Sequence, residues 1–111
     1  MALQEKQLGQ LKPGTTVATS IYSPGAGVTA IIRNITVTNL TGIAVNFSIF
    51  HDDDGTTYDE STALFYTVRL EKNQTIQLTA YAAMNNPAGN LAVQSNTASA
   101  INFTVYGAES T

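Results

Sequence analysis

Cysteine and tryptophan are both absent from this chain of 111 residues, and histidine occurs once, at His51. The absence of cysteine excludes disulfides, zinc–thiolate sites and thiol catalysis. A single histidine cannot supply a metal site built from several imidazoles. One acid–base relay is conceivable, with His51 and Asp59 activating Ser61, but nothing in the spacing of these residues requires it. We therefore expect no catalytic residues, no enzyme activity and no cofactor.

Charge is also scarce. Lysine and arginine number five, the formal net charge is -3, and charged residues make up 12% of the chain, about half the usual share. So few basic residues leave no positive stripe for a phosphate backbone, which argues against nucleic-acid binding. Interface centres are poor in Lys, Glu and Asp, because uncharged polar groups cost less to desolvate. The composition fits a surface that packs against other proteins, and it fits an ordinary threonine-rich β-domain equally well.

Long apolar runs are missing as well. No stretch approaches the length needed to cross a bilayer, so we expect no membrane contact. Glu5 and Lys6 lie where a secretory signal would have its apolar region. We expect a protein that is made in the cytoplasm and stays soluble until it assembles.

Apolar and polar residues alternate with a period of two from residue 15 onward. Three segments show this most clearly: Ile43, Val45, Phe47 and Ile49; Leu64, Tyr66, Val68 and Leu70; and Ile101, Phe103 and Val105. Turn signals such as Lys12-Pro13-Gly14 and Asp54-Gly55 separate these runs. The pattern predicts an all-β fold, an antiparallel, jelly-roll-like β-sandwich of about seven short strands that forms one domain over residues 15–111. Arg33 interrupts one run, which indicates a bulge or an arginine whose stem covers apolar surface.

Residues 1–14 show no alternation, and they predict an extended N-terminal arm that is frayed or held by a neighbouring chain. The leucines of this arm, Leu3, Leu8 and Leu11, are therefore candidate interface residues.

The phenylalanines and tyrosines divide into two groups by their phase in the strands. Phe47, Tyr66 and Phe103 are in phase with core positions, so we expect them in the core. Phe50 and Phe65 are out of phase with their neighbours. An apolar ring on an outer face is best explained by a second sheet or a partner subunit, so both are candidate interface residues.

Acidic residues cluster between Asp52 and Glu60. Placing Gly55 at the glycine position of a calcium-binding EF-hand loop would make Phe50 the first ligand and Ser61 the last, and neither fits. An irregular calcium or magnesium site formed by Asp52, Asp54 and Asp59 remains as the alternative to a solvated loop that turns at Asp54-Gly55. The spacing favours the solvated loop.

Four segments carry a family resemblance: Leu8-Gly9-Gln10 with Pro13; residues 19–24; residues 31–39 followed by Phe47; and residues 102–109. In these segments the chain resembles the small β-sandwich virion proteins of tailed bacteriophages, which include capsid decoration (cement) proteins and neck or tail accessory proteins. The acidic stretch at residues 51–60 departs from that pattern. No functional residue can be transferred, because these proteins act through surfaces.

The resemblance implies a capsid decoration protein, located in the virion, that stabilises the phage head by self-association and by docking on the major capsid protein. A homo-oligomer is implied, with a trimer favoured over a dimer, and no cofactor. The alternative is a neck, tail or baseplate accessory protein that contacts another virion protein. That alternative includes a receptor- or glycan-binding module, to which Tyr58 and Tyr81 would contribute exposed rings.

Overall fold

The computed structural model describes residues 3–55 and 57–110, and it folds them into eight antiparallel β-strands without a helix. None of these residues therefore belongs to a helix long and apolar enough to cross a membrane. The all-β prediction is confirmed, with eight strands in place of about seven. The strands are β1 (Leu3–Leu11), β2 (Thr19–Tyr22), β3 (Thr29–Asn39), β4 (Val45–Asp52), β5 (Ala63–Leu70), β6 (Thr75–Met84), β7 (Asn90–Ser95) and β8 (Ile101–Ser110).

The strands form two four-stranded sheets. Sheet I has the order β1-β8-β3-β6, and sheet II has the order β2-β7-β4-β5. The first half of the chain pairs with the second half in reverse, β1 with β8, β2 with β7, β3 with β6 and β4 with β5, as in a long hairpin rolled into two layers. This arrangement is an eight-stranded jelly roll, and it confirms the predicted sandwich.

The predicted N-terminal arm is wrong for residues 3–11, which form an edge strand of sheet I. Leu3 pairs with Ser110, and the ladder continues to Leu11, which pairs with Phe103. The register shifts between Gln7 and Gly9, so one extra residue breaks the period-two pattern that would otherwise have revealed the strand. The sandwich therefore begins at β1.

The core lies between the two sheets. Phe47 of sheet II and Phe103 of sheet I meet edge to face, with ring centroids 6.1 Å apart and an interplanar angle of 72°. Each fully buried aliphatic or aromatic side chain contributes about 1.5–3 kcal/mol to stability. The other large side chains that are fully buried in this layer include Ile32, Ile35, Ile49, Leu70, Leu91 and Ile101.

Two irregularities in the strands decide which side chains face outward. At Arg33 the register of β3 shifts against β8, which confirms the predicted bulge. In β5, Thr67 has a φ of 52°, and β5 has one more residue than β4 between the pairs Ile49–Phe65 and Phe47–Val68. This bulge reverses the phase of β5, so Phe65 packs against the core and Tyr66 points outward. The core position predicted for Tyr66 is therefore wrong.

Asn39 joins the two sheets at one end of the sandwich. Its buried carboxamide donates to the carbonyl oxygens of Ile43 (2.8 Å), Leu70 (3.2 Å) and Glu71 (3.0 Å), and it accepts from the Thr41 N–H (2.9 Å). Ile43 lies before β4 with 62% of its surface exposed, so the alternation placed it in the core wrongly. Its backbone, rather than its side chain, contributes to the fold.

Candidate functional site

Sheet I presents an outer surface that we call the uncharged face. In β6 the exposed residues Thr75, Gln77 and Thr79 alternate with Ile76 and Leu78, which pack against the core. The same alternation in the neighbouring strands extends this surface across the sheet. The uncharged face consists of Gln7, Gln10, Asn34, Thr36, Thr38, Thr75, Gln77, Thr79, Tyr81, Asn102, Thr104 and Tyr106.

Covering the uncharged face requires little desolvation. None of its side chains carries a formal charge, and several bond to each other, as Thr75 does to Thr38 (3.2 Å between hydroxyl oxygens). Tyr81 is 75% exposed, and Tyr106 is exposed as well. Tyrosine is enriched in protein interfaces, because its ring buries a large area while its hydroxyl remains hydrogen-bonded. The face has the composition of an interface centre.

The edge of sheet I beside this face is poorly protected. Strand β6 has ten residues, and none of them is charged. The other edges carry features that discourage pairing: β2 has four residues, β1 carries Glu5 and Lys6, and β5 has the Thr67 bulge. Of the four edge strands, β6 is therefore the best suited to contact another chain.

The charged end of sheet I is occupied by ion pairs. Arg33 Nε lies 3.2 Å from Glu5 Oε1, and Lys6 Nζ lies 2.7 Å from Glu109 Oε1. The hydrogen bond from Lys6, and a second one from the Tyr22 hydroxyl, hold the pKa of the Glu109 carboxyl below its ordinary value. Burial, with Glu109 adding to it, raises the pKa of Tyr22 well above the usual range. The shallow 440 Å³ depression beside these pairs thus offers no uncompensated charge to a ligand.

The outer face of sheet II contains a polar pocket of about 250 Å³. Part of its lining is fixed by the fold: Ser48 Oγ accepts from the Thr67 N–H (2.9 Å), and Asn96 Oδ1 accepts from the Asn46 N–H (3.1 Å). The sequence identifies Asn46 and Ser48 as outward positions of a strand. It does not show that the bulge residue Thr67 joins them. The lining consists of Asn46, Ser48, Thr67, Gln94 and Asn96.

An aromatic cluster lies on the same face of sheet II. Phe50 is 1% exposed, and its ring centroid is 6.1 Å from that of Tyr58 and 6.4 Å from that of Tyr66. Tyr66 is 51% exposed, and its hydroxyl donates to Glu60 Oε1 (3.0 Å), which raises the pKa of the tyrosine. Tyr81 lies on β6 of sheet I, so the two rings named for a receptor- or glycan-binding module, Tyr58 and Tyr81, are on different parts of the sandwich.

The structure packs four of the five predicted interface residues against other residues of their own chain. Leu8 and Leu11 are partly buried and pack against the core of their own chain, because β1 is part of the sandwich. Phe65 packs there too, and Phe50 is covered by tyrosines of the same chain. Leu3 is 53% exposed, and its role in an interface stays a prediction.

Carboxylates of the acidic loop accept hydrogen bonds from other residues of the same loop. Asp52 Oδ2 accepts from the Thr57 N–H (2.7 Å), and Asp59 Oδ1 accepts from the N–H (2.8 Å) and hydroxyl (2.5 Å) of Ser61. The Ser61 hydrogen bonds lower the pKa of Asp59. Across residues 3–55 and 57–110, no three acidic or histidine side chains are grouped to hold a metal ion. The structure thus does not assemble Asp52, Asp54 and Asp59 into a cation site.

The conceivable relay of His51, Asp59 and Ser61 is not assembled either. The Ser61 hydroxyl donates to Asp59, whereas His51 Nε2 lies 4.0 Å from Asp53 Oδ1. Within the described part of the chain, His51 Nε2 has no hydrogen-bond partner. A histidine in this position does not contact the serine that it would have to activate.

Comparison with protein-family models, with curated proteins and with solved structures found no match. The surfaces of this chain that bear on its function are the uncharged face of sheet I and the polar pocket of sheet II.

Proposed function

We propose that this chain is a structural virion protein of a tailed bacteriophage, a capsid decoration protein that self-associates and docks on the major capsid protein. The observation that carries the proposal is the uncharged face, bordered by the charge-free edge strand β6. The resemblance of the sequence to the small β-sandwich virion proteins of tailed bacteriophages supports a phage virion as the particle on which the chain assembles. A neck, tail or baseplate accessory protein would use the same surfaces, and particle location distinguishes the two.

The uncharged face supplies part of the area that a stable interface buries. Four strands about 4.8 Å apart, with about five residues each at about 3.3 Å per residue, give a projected area of about 320 Å². Side-chain relief raises the accessible area above this projection. One partner in a standard protein interface buries about 800 Å². The projected face is therefore less than half of one partner's standard share, and the β6 edge and the loops beside it must add the rest.

The β6 edge also bears on the symmetry of the oligomer. An edge strand with unpaired backbone groups is stabilised when another chain covers it, and closed rings of copies leave none of these edges exposed. The oligomer proposed here is a trimer in preference to a dimer, in line with the resemblance to decoration proteins.

The proposal is tested by placing charge on the uncharged face. Thr104→Lys and Thr79→Lys alter the centre of the face and the β6 edge, and Thr19→Lys is the matched control on sheet II. An uncompensated buried charge costs about 3 kcal/mol or more, so the first two variants should associate at least a hundredfold more weakly. The measurements are light scattering of the free protein and co-sedimentation with undecorated capsids. Circular dichroism verifies that each variant is folded.

The control variant defines the results that would overturn the proposal. Thr19→Lys is expected to self-associate and sediment with capsids as the unaltered chain does. A monomeric unaltered chain that binds no capsid would contradict the proposal. Equal losses in Thr19→Lys and Thr104→Lys would show that the uncharged face has no special role.

A further inference from the structure

The polar pocket of sheet II holds hydrogen-bonding groups that the fold does not use. Among the residues that the structure describes, the Asn46 carboxamide and the Thr67 hydroxyl have no hydrogen-bond partner. Gln94 donates through Nε2 to the Thr16 carbonyl (2.9 Å), which leaves its Oε1 available as an acceptor. Asn96 accepts through Oδ1, which leaves its Nδ2 available as a donor. The pocket therefore offers donors and acceptors side by side.

The lining of the pocket selects the chemistry of a ligand. It contains three carboxamides and two hydroxyls, and no charged group. Arg69, which lies opposite Asn46 in the register, is bonded to Glu71, so an anion would find no unpaired cation in the lining. The acidic residues Asp59 and Glu60 near Tyr66 would also repel an anion. An apolar ligand would leave the polar groups of the lining without partners. The best complement is a neutral molecule with several hydroxyls, because a carboxamide can donate to one hydroxyl and accept from its neighbour.

Tyr66 adds an apolar surface to the same face. It directly precedes the pocket residue Thr67, and the Thr67 bulge turns its ring outward, where half of it is exposed. Phe50 packs edge to face with the Tyr66 ring, and the hydrogen bond to Glu60 holds the Tyr66 hydroxyl. An aromatic ring held in this way can pack against the carbon–hydrogen face of a sugar ring.

We propose that the pocket of sheet II binds a neutral saccharide, with one sugar ring among the carboxamides and the adjoining ring against Tyr66. Its volume of about 250 Å³ is below that of pockets for drug-sized ligands, and it suits a single ring. The site lies on the sheet opposite the uncharged face, so it stays open when that face is covered. This proposal goes beyond the proposed role in assembly and does not depend on it.

The test uses the full chain in solution with a panel of neutral sugars. Saturation-transfer NMR is recorded with glucose, galactose, mannose, N-acetylglucosamine and their disaccharides, and with glycerol as the polyol control. At least one sugar should receive magnetisation from the protein, with a dissociation constant of about 1 mM for a single ring. Amide shift changes should cluster at Asn46, Thr67, Gln94 and Asn96.

Two sets of variants assign binding to the pocket. Asn46→Ala should weaken binding at least tenfold without loss of stability, because the fold does not use this side chain, and Asn102→Ala on sheet I is the matched control. Tyr66→Ala should weaken disaccharide binding selectively, whereas Tyr66→Phe, which keeps the ring and loses only the bond to Glu60, should weaken it less.

Several results would overturn the proposal: no transfer to any sugar, equal transfer to glycerol, shift changes confined to sheet I, or unchanged affinity in Asn46→Ala. The proposal is separable from the assembly proposal. Thr104→Lys, which should dissociate the oligomer, is expected to bind sugar as the unaltered chain does. A failure of self-association and a failure of saccharide binding are thus observed in different measurements.

Discussion

The two outer faces of this sandwich differ although both sheets have four strands and share one core. Most of the outer face of sheet I consists of uncharged side chains, and Glu5 and Arg33 form an ion pair at one end of it. On sheet II, Tyr58 of the β4–β5 connection packs over Phe50, and the Thr67 bulge forms one side of a polar pocket. The difference shows that a connection and a bulge, and not the strand order, determine what each face can bind. One face suits a flat protein surface and the other a small polar ligand.

The largest expected effect is a difference in the free energy of unfolding between a variant of sheet II and a variant of sheet I. Phe50→Ala empties a buried site on sheet II, and it should lower the free energy of unfolding by about 3 kcal/mol. Tyr81→Ala removes an exposed ring of sheet I, and it should change that free energy by about 0.5 kcal/mol or less while weakening self-association. Urea denaturation and light scattering measure the two quantities. Similar losses of stability in both variants would mean that the faces are not distinct in this way.

A smaller effect is expected at the Thr67 bulge. Ser48→Ala removes the acceptor of the Thr67 N–H, and it should cost about 1 kcal/mol because a part-buried hydrogen bond is lost. Thr36→Ala, on the uncharged face, is the comparison and should be nearly neutral. Thermal melts measure both variants. A neutral Ser48→Ala would show that the bulge does not depend on this hydrogen bond.

The smallest effect concerns Glu109, where Lys6 of sheet I and Tyr22 of sheet II meet. Because its folded-state pKa lies below the ordinary value of 4.5, Glu109 contributes stability above that pH, which is lost as the pH falls through the lower folded pKa. The melting temperature should therefore fall below about pH 4.5, and it should fall less in Glu109→Gln. Asp59 and Glu71 shift in the same direction but are exposed, so solvent screens their contribution. An identical pH dependence of the melting temperature in Glu109→Gln would show that Glu109 is not the source of that dependence.

Most of the fold was predictable because period-two alternation survives wherever a strand is regular. The alternation of Val45, Phe47 and Ile49, and that of Ile101, Phe103 and Val105, placed these residues in the core, as the structure does. The predictions were wrong where an extra residue shifts the phase. The bulges at Leu8 and Thr67 concealed β1 and exchanged Phe65 with Tyr66, because an extra residue puts the side chains before it and after it out of phase with each other.

The candidate site was less predictable than the fold. Asn46, Ser48 and Gln94 are recognisable as outward polar residues of strands, yet such residues occur on every exposed face. The pocket forms because β7 pairs with β4 and because Thr67 adopts a positive φ, and neither feature has a local sequence signal. The low charged fraction of the sequence was the only indication of the uncharged face, and it does not show where in the fold the remaining charges lie.

In the proposed assembly, the uncharged face and the β6 edge are covered while the face of sheet II remains open. Hydrogen–deuterium exchange of the free protein and of the capsid-bound protein distinguishes covered from open strands. Residues 75–84, whose edge amides gain cover, should exchange more slowly on binding, and exchange in residues 45–52 and 90–95 should be unchanged. New protection in residues 45–52 and 90–95, with residues 75–84 unchanged, would contradict the proposed assembly.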